Sequence, residues 1–144
     1  MKQKIIVKTV FYGLLILVIT LGYSCKKKDP QPDARTIQLS KISTTWNINK
    51  VVNDDLDVTD QYSGFTLTVN QLNYTTQNGG NPWPSSGTYD FKDGDLTTII
   101  RNDGTEIKIE ELTTSSLILS FNYASLSGGR TAGITGDFTF SLTK

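Results

Sequence analysis

The chain has 144 residues, with 14 basic and 14 acidic side chains, one cysteine and no histidine. The missing imidazole removes Ser–His–Asp and Cys–His triads and histidine-built zinc sites, and a single cysteine removes an intramolecular disulfide or a thiolate cluster. The charge balance is uneven, because the part from residue 36 onward carries 7 basic against 12 acidic side chains, a poor footprint for nucleic acid.

The N-terminus opens with Lys2, Lys4 and Lys8, followed by an apolar stretch from Val10 to Leu21 broken only by Gly13 and Thr20. That length suits a secretory h-region and falls short of the roughly 20 apolar residues that span a bilayer. Gly22-Tyr23-Ser24-Cys25 then places small residues at −3 and −1 relative to the cysteine, with Leu21 at −4. This ending resembles the lipobox of bacterial lipoproteins, and the "SC" followed by lysines and an acid is similar to lipoproteins of the Bacteroidetes type. The resemblance implies a signal peptide over 1–24, cleavage between Ser24 and Cys25, and acyl chains (palmitate among them) on Cys25. Two or more chains anchor a protein stably without spanning the membrane. Lys26 stands where an inner-membrane lipoprotein of the resembled group carries Asp, so the expected address is the outer membrane, with the periplasmic or cell-surface face undecided. The competing reading is an uncleaved N-terminal helix.

Residues 25–35 read as a lipidated tether, since "KKKDPQPDA" over 26–34 has two prolines and is almost free of apolar side chains. The domain then occupies 36–144. "TIQLSKIST" over 36–44 predicts a short helical lead. Strand patterns follow at 45–53, 64–70, 72–77, 86–91, 96–102, 105–111, 116–123 and 134–143, separated by turn signals. "GFTLTVN" sets Phe65, Leu67 and Val69 on one face, and "SLILSFNY" sets Leu117, Leu119, Phe121 and Tyr123 on one face. Asn102-Asp103-Gly104 and the "KDGD" of 92–95 are hairpin turns. Such alternation marks an antiparallel sheet with one solvated side. The predicted fold is all-β: about eight strands in an up-and-down barrel, because closure removes the exposed edges.

Trp46 after a helical lead, "DVTDQY", the paired "DG" turns and the final "GDFTFSL" resemble the lipocalin-like lipoproteins of Bacteroidetes, over roughly 36–144. Thr44-Thr45-Trp46 stands where typical lipocalins carry Gly-x-Trp. The resemblance implies a barrel that is filled or that holds one small ligand.

Several clusters invite chemistry. Asp54, Asp55, Asp57 and Asp60 suggest calcium, but an EF-hand loop starting at Asp55 needs Gly and Glu where Asp60 and Thr66 stand. Asp57 also suits a cap on a short turn over 59–62. Glu106 and Glu110 share a strand face at about 13 Å by strand rise, too far for either glycosidase geometry. No metal, cofactor or catalytic residue is expected. "QNGGNPWPSSG" over 77–87 holds Trp83 between two prolines, a stiff aromatic that either stacks a ligand at the barrel rim or folds down to plug the barrel. Tyr89 and Arg130 join Trp83 as candidate ligand contacts. The expected function is non-enzymatic binding of a small apolar molecule or glycan, with a filled barrel serving as a structural or protein-interaction module as the alternative. The oligomeric state stays open.

Overall fold

The computed structural model describes residues 31–124 and 135–144. Within them a helix α1 (Ala34–Ile42) precedes the strands β1 (Thr45–Asn53), β2 (Leu56–Asp57), β3 (Thr66–Asn70), β4 (Asn73–Gln77), β5 (Ser86–Lys92), β6 (Asp95–Arg101), β7 (Glu106–Leu112), β8 (Ser116–Tyr123) and β9 (Gly136–Thr143). Every pairing is antiparallel, and β1 pairs with both β3 and β9. Eight strands thus close into an up-and-down barrel, while the two-residue β2 extends one end of β1. No described helix is long and apolar enough to cross a membrane.

Alternation decides the fold. Leu117, Leu119 and Phe121 of β8 are buried, as are Phe138, Phe140 and Leu142 of β9, and their intervening neighbours are not. Leu119 lies opposite Phe140 and Phe121 opposite Phe138. A one-residue slip would turn this whole set outward, so burial fixes the register. Both predicted hairpin turns form, with Gly94 at φ 73° and Gly104 at φ 85°, values that cost other residues steric energy.

The helix begins at Ala34, two residues before the expected start. The Asp33 carboxylate accepts the Thr36 amide at 2.6 Å and caps it. Asp33, Ala34 and Arg35, expected in the tether, thus belong to the helix and its cap. The helix closes one end of the barrel: Trp46 Nε1 donates to the Ile42 carbonyl at 2.9 Å, and Gln38 Nε2 donates to the Leu96 carbonyl at 3.2 Å. Arg35 pairs with Asp90 and stands 5.4 Å over the Phe91 ring. Lys144 covers the Trp46 ring at 5.3 Å. The turns β3–β4, β5–β6 and β7–β8 share this helix end. The connections β2–β3, β4–β5 and β6–β7 lie at the opposite, loop end.

Candidate functional site

The β4–β5 loop carries Trp83 into the loop end of the barrel. Thr76 anchors it twice, its amide donating to the Ser85 carbonyl at 2.9 Å and its hydroxyl to the Pro84 carbonyl at 2.8 Å. The Trp83 amide donates to the Gly79 carbonyl at 3.3 Å. A Cβ at Gly79 would lie 2.6 Å from that of Trp83, so only glycine fits there. Pro82 and Pro84 fix φ on either side. Of the two placements the sequence leaves open, the structure has the inward one: Trp83 is 3% exposed. Its ring meets Phe65, Tyr74, Phe121 and Phe140 at centroid distances of 6.0, 5.9, 5.5 and 5.9 Å.

Arg101, at the end of β6, is 2% exposed and faces the same interior. Its guanidinium lies 5.2 Å from the Trp83 ring and 5.8 Å from the Phe121 ring. Nη1 donates to the Pro82 carbonyl at 2.7 Å, Nη2 to Asp103 Oδ2 at 2.6 Å and to Thr105 Oγ1 at 3.0 Å, and Nε to Asp103 Oδ1 at 3.2 Å. A buried cation requires such partners. Arg101 therefore joins the β6–β7 hairpin to the loop that carries Trp83. Burial pushes the Asp103 carboxyl up, but the hydrogen bonds from Arg101 and Thr105 outweigh it and hold the group below the usual range.

The interior is nearly filled. A cavity of about 10 Å³ remains among Leu67, Val69, Tyr74, Trp83, Tyr89 and Arg101, which is room for about one water molecule. Three residues on this wall hold buried polar atoms with no hydrogen-bond partner: Trp83 Nε1, Tyr74 Oη and Tyr89 Oη. Burial raises both phenol pKa values, that of Tyr89 strongly, so the two hydroxyls stay protonated and available as donors. Native interiors leave few such groups unpaired, at a cost of about 1–3 kcal/mol each.

Trp83 and Tyr89 are thus brought together, whereas Ser24, Cys25 and Arg130 lie outside the described residues. Tyr74 and Arg101 were missed by sequence reasoning, although strand parity carried a signal. Arg101 shares the inward parity of Ile99, two residues before the aspartate of a hairpin turn, and Tyr74 shares that of Leu72 and Thr76.

The acidic clusters are locally engaged. Asp54 Oδ1 accepts the Asp137 amide at 2.9 Å. Asp57 accepts the Thr59 amide at 3.0 Å and its hydroxyl at 2.6 Å, at the start of the 3-10 turn Thr59–Tyr62. Glu106 is paired with Lys92 at 3.0 Å, while Glu110 takes Ser120 Oγ at 2.6 Å and Lys108 at 2.9 Å. Among the described residues no three His, Cys, Asp or Glu side chains converge as metal ligands would.

No protein-family model matches the chain. No curated protein is similar enough to it to count as a relative.

Proposed function

We propose that this is a lipid-anchored envelope lipoprotein of the lipocalin-like Bacteroidetes type, non-enzymatic, whose barrel binds a small ligand at its loop end. The observation that supports ligand binding is that a buried arginine and three side chains with unpartnered buried polar atoms all line one small internal cavity. A barrel selected only for stability gains nothing from such groups, because apolar side chains of similar volume serve at least as well. The anchoring part rests on Gly22-Tyr23-Ser24-Cys25 after the apolar run, with Cys25 as the lipid carrier, and Lys26 directly after it favours the outer membrane.

A second reading has its own observation. The cavity holds about 10 Å³, so the barrel as it stands is filled and suits a structural or protein-interaction module. Native mass spectrometry of the protein purified from its own host separates the two. A co-purifying small molecule supports the binding reading, and a clean apo mass from several growth conditions moves the assignment to the filled module. For the anchor, Cys25→Ala should shift the protein from the membrane fraction to the soluble fraction and abolish palmitate labelling. Retention on membranes after that substitution means an uncleaved helix holds it instead.

A further inference from the structure

We propose that the loop end holds a closed site for a planar ring bearing an acceptor oxygen, a small aromatic carboxylic acid being the simplest case, and that the Trp83 indole occupies it in the structure described. The inference rests on the ligand-binding reading above and names the ligand's chemistry.

The two tryptophans are held unequally. Trp46 donates its indole N–H to the Ile42 carbonyl at 2.9 Å, whereas the Trp83 indole N–H is buried with no acceptor. Trp83 therefore fills its space by shape and aromatic contact, without the polar bond that a fixed core indole makes. It is also carried by a connection, not by a strand, and Trp83 and its neighbours are joined to Arg101 by one hydrogen bond, from Nη1 to the Pro82 carbonyl.

Withdrawal of the loop side chain uncovers a defined set of groups. Arg101 loses the indole face and the Pro82 oxygen together, while Asp103 and Thr105 keep its other nitrogens in place. Phe121 remains on its other side at 5.8 Å. The Tyr74 ring, 5.9 Å from the indole, carries an unpartnered hydroxyl. A molecule that takes the indole's place must return a flat π-face and an oxygen to Arg101. A ring carrying a carboxylate does both, since guanidinium donates to carboxylate with charge assistance and stacks on aromatic faces. A purely aliphatic ligand would leave Nη1 unpaired. A neutral sugar would set its hydroxyl groups against an apolar wall of Phe65, Leu67 and Phe140.

The test uses the full-length protein in detergent and two probes of one ring system, indole-3-propionate and indole. In Trp83→Ala the cavity is already open, so calorimetry should find indole-3-propionate bound at least tenfold tighter than by the unsubstituted protein, because no population is spent on opening. Arg101→Met in the Trp83→Ala background should weaken indole-3-propionate at least tenfold and leave indole within about threefold. Equal affinity for the two probes, insensitive to Arg101, would sink the ligand class while leaving a ligand-binding cavity standing. No binding of either probe to a folded Trp83→Ala protein would overturn the binding reading as well. The unsubstituted protein supplies a second measurement that needs no substitution. By indole N–H exchange in nuclear magnetic resonance, Trp83 should exchange at least tenfold faster than Trp46, and indole-3-propionate should move the Trp83 resonance alone. Equal exchange and an unmoved Trp83 resonance overturn the proposal, whatever Trp83→Ala does.

Discussion

At the scale of single residues, the centre of this barrel is not tuned for stability alone. Tyr74 Oη and Tyr89 Oη are buried with no partner, so each tyrosine retains a hydroxyl that folding removes from water without replacement. Tyr89→Phe should therefore raise stability by about 1 kcal/mol, seen as a melting point a few degrees higher. An unchanged or lower melting point would mean that the hydroxyl is satisfied in solution. Gly87 works in the opposite sense. It lies opposite Tyr74 in the β4–β5 ladder, and a Cβ there would come within 2.6 Å of Tyr74 Oη and of Asn102 Oδ1. Gly87→Ala should destabilise by about 1–3 kcal/mol as overpacked positions do. Adding Tyr74→Phe should recover part of that loss in a denaturant titration, because it removes one of the three clashing atoms, Tyr74 Cε1 at 2.8 Å and Asn102 Oδ1 remaining. The absence of side-chain volume at Gly87 is what lets the Tyr74 ring lie across β5.

At the scale of elements, one device recurs three times along the chain. Asp57-Val58-Thr59, Asp95-Leu96-Thr97 and Asp103-Gly104-Thr105 each set an aspartate Oδ1 against the amide of the threonine two residues on, at 3.0, 2.7 and 3.0 Å. These are Asx turns, in which a side chain supplies the acceptor that a backbone carbonyl would otherwise provide. At Asp95 the effect is strongest. The side-chain hydrogen bond from Thr97, helped by Thr98 and the Thr97 amide, holds its pKa at about 2, against 3.8 for a free aspartate. The folded value is depressed, so the stabilisation is fully present above the unfolded value and is lost as pH falls toward the folded one. Asp95→Asn should accordingly melt below the unsubstituted protein at pH 6, and the gap should narrow between about pH 4 and pH 2. A gap that stays constant across this range would show that geometry, not charge, sustains the turn. The triplet Asp-x-Thr is visible in the sequence, but it also occurs at Asp137-Phe138-Thr139 inside β9, where Asp137 Oδ1 instead accepts from Asn122, so the triplet alone does not mark the turn. Strand identities were legible because period-two alternation is enforced by burial along every strand. The inward turn of Trp83 was not settled there, because it depends on Gly79 and Thr76 shaping the loop, and no periodic pattern records that.

At the scale of the whole molecule, closure depends on the last strand. β9 pairs with β8 next to it and with β1, which lies about ninety residues earlier, matching Val51 to Phe140 and Asn53 to Phe138. Phe140 lies 5.1 to 5.9 Å from the rings of Tyr62, Phe65, Trp83 and Phe121, so the aromatic centre draws on β8, β9 and the β2–β3 and β4–β5 connections at once. Little of that centre can form before the C-terminus joins, and such long-range pairing makes folding slow for the chain's size. The helix end is different in kind. Of α1 only Ile42 is fully buried, and its remaining ties are surface contacts such as Arg35 with Asp90. Two deletions should therefore behave unlike each other in urea. Loss of residues 136–144 leaves β1 and β8 as open edges and uncovers the aromatic cluster, and the expected outcome is no cooperative transition, with association into aggregates. Loss of residues 33–42 removes Ile42, the acceptor of Trp46 and a few surface ties, and the expected outcome is a single transition at lower urea. A cooperative transition in the chain without β9 would show that a seven-stranded open sheet is enough to hold this core. Barrel closure would then be a protection of edges and not the source of stability.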